Sequence, residues 1–537
     1  MDLSTEDSVD ENFINELSKY FPPGTPQEDM LAMYNNPDVF EEYMNQIQLQ
    51  YNELQQNYSV YNECVVPVAT QGWESIWQLL LFCLILRVLC LVKLPRCLLN
   101  ICSVLLGCLS LWKFYDQSMI YVLAPTLVLL SYIKLRNLKN GLIVSFIVAV
   151  YLLACEFFLL NAVDWNKIKG SIMVISMKII SVTFDVENGI LTEQLSSLEF
   201  YGYVFNPASL IFGPFISYND YEQLFHASPM NLSWLFHSSK SLLLGVACLL
   251  FSSCGTSHYL RKLNDYIPQL EDNRWWIAYK EALTFRFSHY FVSYISESTC
   301  LLVGIGTIAI SGGKAVSTNA QTKANKEEEK GKKLKQKNQH KNSNEKIEQD
   351  NIVIWSRPIA NMLTVEFPRS LVDVVTNWNL PMHYWLKQYM FKSFRKYGVF
   401  AAILFTYVAS SMLHSLNFQL SAVLLSIGVF AYIESVFRHT LACGFNACIE
   451  ARRCKQDCKH KYKKWDFWVM SVNLLFGFVA VWNLAYLGCL FDNSAEEDQG
   501  YSMAHALKKW KNYNFINHVV MMATFVLQAL INRGSVY

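Results

Sequence analysis

Residues 398–439 read GVFAAILFTYVASSMLHSLNFQLSAVLLSIGVFAYIESVFRH, two apolar runs with one histidine, His414, at the end of the first. The runs, 398–414 and 418–438, approach the roughly 20 residues needed to cross a bilayer. No charged side chain interrupts them before Glu434. An ionisable group at membrane depth is costly enough to be read as functional by default. Imidazole is also the side chain most easily poised for proton transfer near neutral pH. The stretch predicts two adjacent membrane helices that carry the chain across and back, with a working group where they meet.

Working outward, the same texture covers most of the chain. Of 537 residues, 52% are hydrophobic and only 17% charged, with a mean hydropathy of +0.17, against about 25% charged in soluble domains. Fourteen Trp, 29 Tyr and 34 Phe suit a protein with extensive apolar-to-wet boundaries. The fold class is therefore all-α and polytopic, with about 10–12 membrane-embedded helices, some of them re-entrant. Before the hairpin, spans fall near 77–94, 97–113, 118–135, 141–163 and 171–184, then 237–254 and a long run from Trp275 to Ser311. The 171–184 stretch is short, which predicts a re-entrant or partly inserted helix. After the hairpin, spans fall near 468–491 and in a last run reaching Leu530. A formal net charge of +1 gives no overall basic field, so nucleic acid is not an expected partner. Most of the fifteen cysteines lie in apolar runs, where they act as small hydrophobes rather than as a disulfide framework. No cleavable signal peptide is expected, since no basic n-region precedes an early apolar run.

Composition also marks five regions. An acidic, partly disordered tail occupies 1–75, and N-terminal transmembrane helices occupy 76–311. A Lys-rich insert too poor in apolar residues to fold occupies 312–351. The segment with the apolar hairpin and His414, the expected catalytic core, occupies 352–440, and a basic loop with further helices occupies 441–537. The positive-inside rule puts the insert, Lys387 to Lys396 and the cluster at 451–465 on the cytosolic side, with the acidic loop from Asp492 to Gln499 opposite. Asn57 and Asn231 head glycosylation acceptor triplets. Between Glu199 and Tyr221, Asn206-Pro207 and Gly213-Pro214 interrupt an apolar run. Irregular backbone at that depth either lines a cavity or is covered by packed neighbours.

Several residues invite chemistry. His414 by itself can bridge two helices by hydrogen bonds, but Asn379, in the segment leading back to the same helix, makes an amide–imidazole pair suited to acyl transfer. The imidazole takes the proton of an attacking hydroxyl, and the amide orients the thioester or stabilises the charge that develops on its carbonyl oxygen. Arg286 sits in an apolar run, as an anion ligand or in a salt bridge to Glu281 or Glu297. His289, His383 and His439 read as structural or interfacial. Cys454, Cys458 and His460 lack a second convincing pair, so no metal is expected, and reversible palmitoylation fits those cysteines better. No GxSxG, phosphate-binding loop, dinucleotide fingerprint or HExxH occurs in a supporting context.

The run Trp378-Asn379-Leu-Pro-Met-His-Tyr-Trp-Leu-Lys-Gln-Tyr389, followed by Tyr407-Val-Ala-Ser410-Ser-Met-Leu413-His414, resembles the core of the membrane-bound O-acyltransferases. The stretches EFYGYVFNPASLIFGPFISY, EALTFRFSHYFVSYISE, NLLFGFVAVWNLAYLGCLFD and QGYSMAHALKKW resemble the branch of that family that modifies Wnt proteins. The resemblance runs from about Trp77 onward; the acidic tail and the Lys-rich insert depart from the pattern. It implies a multi-pass protein of the endoplasmic reticulum membrane with an internal tunnel. It implies transfer of a cis-unsaturated C16 chain from palmitoleoyl-CoA to a serine of a Wnt protein, with no permanently bound cofactor. In that family His414 is the general base and Asn379 positions the acyl carbonyl. Trp378, Tyr389, Tyr407, Ser410 and Leu413 match tunnel positions, and Arg286 is a weaker candidate for a polar contact. The rival readings are a lipid transporter or scramblase, and a non-catalytic membrane chaperone for a secreted lipoprotein.

Overall fold

The computed structural model describes residues 59–135, 139–191, 195–226, 230–311, 314–316, 352–414, 418–455, 458–491 and 503–534, with isolated positions before 59. Most of the acidic tail with Asn57, the centre of the Lys-rich insert and the acidic loop after Phe491 lie outside these residues. The long helices are α1 (Val66–Leu91), α2 (Arg96–Tyr115), α3 (Ile120–Leu135), α4 (Gly141–Ala154), α5 (Ala162–Glu187), α6 (Leu232–Leu250) and α7 (Arg274–Val303). There follow the short α8 (Leu371–Asn377) and α9 (Leu380–Trp385), the hairpin α10 (Val399–Leu413) and α11 (Phe418–Phe445), then α12 (Phe467–Gly488), α13 (Met503–Asn512) and α14 (Ile516–Gly534). Among the described residues six helices are long and apolar enough to cross a membrane, or seven if α13 and α14, bent by 73°, form one span.

The departures from the expected spans have physical causes. The first helical run begins at Tyr61, not Trp77, because polar side chains in its first turns lower the hydropathy without breaking the helix. The stretch 171–184 belongs to α5, whose 26 residues extend about 39 Å at 1.5 Å per residue. It is not short, and it runs as one unbroken helix. Its polar side chains, Lys178 and Asp185, are buried against protein and not lipid, so hydropathy understated its length. The run from Trp275 to Ser311 ends as a helix at Val303, where Gly304 adopts the left-handed conformation (φ +99°) and terminates it. Beyond it, Thr307–Ser311, Lys314–Val316 and Ile352–Trp355 form a small antiparallel sheet in the order β2-β1-β3. Ile308 pairs with Ile354 and Ile310 with Ile352, so the two ends of the Lys-rich insert meet at one place.

The broken stretch from Glu199 to Tyr221 is chiefly packed. It runs as short helices Ser197–Val204, Pro207–Leu210 and Tyr218–Glu222 around a cis Gly213–Pro214 bond. A backbone that leaves the helix in a water-poor interior must find other hydrogen-bond partners, and side chains of the neighbouring helices supply them. Lys178 Nζ donates to the carbonyls of Tyr203 and Val204 at 2.9 and 3.0 Å. Ser103 donates to Gly202, Ser171 to Leu210, Thr299 to Ala208 and Ser296 to Phe212. The buried lysine thus has a structural task. Close approach is secured at Gly107, where an added Cβ would lie on the Phe205 carbonyl.

Candidate active site

The walls of one cavity of about 2690 Å³ are built chiefly from α5, α7, α8, α9, α10, α11 and α12 and the segments beside them. Drug-sized ligand pockets occupy roughly 300–1,000 Å³, so this space suits something longer or two substrates at once. On α10 the lining residues are Val399, Ile403, Thr406, Tyr407, Ser410, Leu413 and His414, a stripe at helical spacing along the whole helix. A matching stripe on α11 runs from Gln419 through Val423, Ile427, Gly428 and Ala431 to Val436. The two stripes define a channel about 20 Å long at 1.5 Å per residue. Lys387, Arg395 and Arg452 line it at the base of α10, while Asn264, Glu271 and Lys280 line it near the start of α7.

Asn379 and His414 both line this cavity. Asn379 is the N-cap of α9: its Oδ1 accepts the backbone N–H of Met382 at 3.0 Å. That bond fixes the carboxamide and leaves Nδ2 as the donor available to the cavity. His414 is the C-cap residue of α10, and its backbone N–H donates to the Ser410 carbonyl at 3.1 Å. Among the described residues its imidazole makes no hydrogen bond, so the helix-bridging role open at the sequence level has no partner there. Trp378 lines the same wall, its ring 5.9 Å from that of His289 and 6.2 Å from that of Tyr290.

The cavity also gathers residues the sequence did not single out. His289 and His383, read as structural or interfacial, both line it. The Nδ1 of His289 lies 3.0 Å from the Phe285 carbonyl; a proton there leaves Nε2 as the acceptor. His439 stays outside, exposed and 3.2 Å from Glu450. Spacing alone had no way to bring α7 beside Trp378.

Two sequence expectations need correction. Tyr389 is buried outside the cavity lining, with its hydroxyl 3.0 and 3.1 Å from the carboxylate oxygens of Asp185 and its ring packed on Phe184 and Trp385. It braces α9 and the turn after it against α5. Arg286 lines the cavity, but its partner is neither Glu281 nor Glu297. Its Nε and Nη2 grip both oxygens of Glu366 at 2.8 and 2.9 Å, and Tyr290 donates to the same carboxylate at 2.7 Å. A bidentate pair of this kind fixes geometry strongly. It ties α7 to the residue preceding Phe367, where the chain turns toward α8.

α8 itself is anchored at its start. The Leu371 N–H donates to Glu434 at 2.8 Å, and Arg438 reaches both Glu434 and the Arg369 carbonyl. From that anchor the chain runs seven residues to Trp378 and Asn379. Gly428 on α11 leaves room for the ring of Tyr407 on α10; a Cβ there would come within 2.5 Å of it. The two stripes can face each other only because this position has no side chain.

The family model described as "MBOAT, membrane-bound O-acyltransferase family" matches residues 188–449, which include Asn379, His414 and most of the cavity wall. Proteins named "protein-serine O-palmitoleoyltransferase porcupine" from Homo sapiens and Mus musculus are each 34% identical over 487 residues, covering 87% of this chain and 96% of their own length. The chain belongs to the porcupine branch of the membrane-bound O-acyltransferases. A porcupine of Anopheles gambiae is 31% identical over 410 residues, 72% of this chain and 74% of its own. Membership of the porcupine branch accounts for the helical, multi-pass architecture.

Proposed function

We propose that this acyltransferase moves a palmitoleoyl group from CoA to a serine hydroxyl of a Wnt protein, with His414 as general base and Asn379 as oxyanion donor. The single observation that carries the reading is that His414 and Asn379 line the same cavity, where among the described residues the imidazole has no hydrogen-bond partner and the carboxamide N–H is uncommitted. His414 takes the serine proton as the oxygen attacks the thioester carbonyl. Asn379 Nδ2 donates to the oxygen on which negative charge develops. Collapse of the tetrahedral species breaks the carbon–sulfur bond, and the imidazolium returns its proton to the CoA thiolate. The products are the serine ester and free CoA.

The basic residues Lys387, Arg395 and Arg452 at the base of α10 suit the phosphates of CoA, and the apolar stripes of α10 and α11 suit its acyl chain. Trp378, Tyr407, Ser410 and Leu413 contact that chain in this reading. Arg286, paired with Glu366, acts by holding the wall. The positive-inside orientation brings CoA from the cytosol and the secretory acceptor from the lumen of the endoplasmic reticulum.

The test incubates purified protein with palmitoleoyl-CoA and a Wnt-derived peptide containing the acceptor serine, and reads the ester by mass spectrometry. Wild-type protein should yield the ester and His414→Ala should not. Full transfer by His414→Ala would remove that residue from the mechanism. Transfer from palmitoyl-CoA as fast as from palmitoleoyl-CoA would leave the enzyme class standing but not the cis preference.

A further inference from the structure

We propose that Cys448, Cys454, Cys458 and His460, in the basic loop between α11 and α12, bind one structural zinc ion. The spacing of Cys454 and Cys458 supplied only part of a ligand set; the fold adds Cys448, three residues past the end of α11. The three thiols and one ring nitrogen all lie within 4.8 Å of one another. Cys448 Sγ is 3.7 Å and Cys454 Sγ 3.6 Å from His460 Nδ1, and Cys448 Sγ is 3.2 Å from Cys458 Sγ. A tetrahedral zinc with bonds of about 2.3 Å to sulfur and 2.0 Å to nitrogen separates sulfurs by about 3.8 Å and sulfur from nitrogen by about 3.5 Å. The sulfur–nitrogen distances already match, and the thiol pair needs to open by about half an ångström. That pair is also well beyond the ~2.05 Å of a disulfide.

The donor set itself selects the metal. Three thiolates and one imidazole in a closed four-ligand cluster are a structural zinc set, and a hard cation such as magnesium or calcium has no use for them. Binding converts three thiols to thiolates and releases three protons. The resulting centre carries a charge of −1, from +2 for zinc and −3 for the thiolates. Arg452, Arg453, Lys455, Lys459, Lys461, Lys463 and Lys464 surround the ligands in sequence and offset that charge.

The backbone brings the ligands together without help from the metal. Asn446 takes a left-handed conformation (φ 50°), and Ala447 pairs with Tyr462. The Cys448 N–H donates to the Tyr462 carbonyl and the Tyr462 N–H to that of Asn446, both at 3.0 Å. Entry and exit of the loop are thereby pinned side by side, with Cys448 next to the segment that carries His460.

The floor of this loop is also the support of the catalytic segment. Arg369 Nη2 donates to the Cys448 carbonyl at 2.7 Å, Arg438 to those of Ile449 and Glu450, and Ser370 to that of Ala451. Ser370 is the N-cap of α8, the helix that leads into Trp378 and Asn379. A metal holding the loop closed therefore acts as a positioning element for Asn379.

Full-length protein purified in detergent without chelator decides the matter through its zinc content. About one zinc per chain is expected in wild type and in a Cys97→Ser control, falling at least tenfold in Cys454→Ser and in His460→Ala. Should those variants fail to fold, wild-type protein exchanged into cobalt is expected to show the absorption of tetrahedral thiolate-bound cobalt. Its Cys454 and Cys458 should also resist alkylation until a strong chelator is added. Wild-type protein free of zinc with freely alkylated thiols would overturn the proposal. So would hydroxylamine-released fatty acid on Cys454 or Cys458, or a Cys448–Cys458 disulfide by mass. None of these readouts depends on acyl transfer, so the metal site and the catalytic reading can fail separately.

Discussion

Gly428→Ala probes the channel at one defined depth. The added Cβ would sit 2.5, 2.6 and 2.8 Å from three carbons of the Tyr407 ring. Carbon atoms settle at about 3.5–4.0 Å, so the ring must retreat by about 1 Å. Tyr407 lies seven residues below His414 on α10, about 10 Å along the axis at 1.5 Å per residue. The obstruction therefore meets the middle of a C16 chain and misses a short one. Displacing one to two methylenes from apolar contact costs about 0.8–1.6 kcal/mol, equivalent to about 4- to 15-fold in kcat/KM. The assay measures kcat/KM for palmitoleoyl-CoA and octanoyl-CoA with the same peptide acceptor. The long donor should lose activity by that factor and the short donor should be nearly unaffected. In a Tyr407→Leu background the same substitution should cost little, since the clashing ring is gone. Equal losses for both donors, or no loss for either, would refute the account of where the chain runs.

Other substitutions separate positioning from chemistry. Asn379→Asp keeps an oxygen for the α9 cap but removes the N–H donor; thermal stability in detergent should hold while kcat falls by about 10²–10³. Asn379→Ala loses the cap as well and should be less stable by about 0.5–2 kcal/mol. His414→Ala should lower kcat by about 10²–10⁴ with normal stability. His289→Ala should lower it less, and the reverse ranking in single-turnover assays would reassign the base to His289. Glu366→Ala leaves Arg286 buried without its charge partner and should destabilise the protein by about 3–5 kcal/mol. The double change Arg286→Met with Glu366→Leu should recover part of that, read as the unfolding midpoint in detergent. Tyr389→Phe should lower the same midpoint, by about 1–3 kcal/mol for the lost bond to Asp185, without changing the KM for palmitoleoyl-CoA.

The membrane class, the hairpin of α10 and α11, and the Asn379–His414 pair were legible because each rests on local chemistry. An apolar run of the right length, an asparagine ahead of it and one histidine at its end are visible without knowing what surrounds them. The errors share the opposite character. Helix α5 looked too short because Lys178 and Asp185 lower its hydropathy, and hydropathy does not register that Lys178 meets carbonyls of a broken helix. Tyr389 looked like a wall of the channel because it matches a tunnel position of the family; the π-helical turn after Trp385 directs it to Asp185 on α5 instead.

By itself, then, the sequence determined that the chain is a bundle of membrane helices and pointed to the two side chains proposed to carry the reaction, because burial preference and proton chemistry belong to residue types. Only the tertiary structure decided what each charged or polar group meets. Arg286 with Glu366, His289 beside Trp378, Gly428 under Tyr407 and Cys448 beside His460 are pairings between segments far apart in the chain or on different faces of a turn. Their geometry comes from how the helices pack, and no local pattern encodes it.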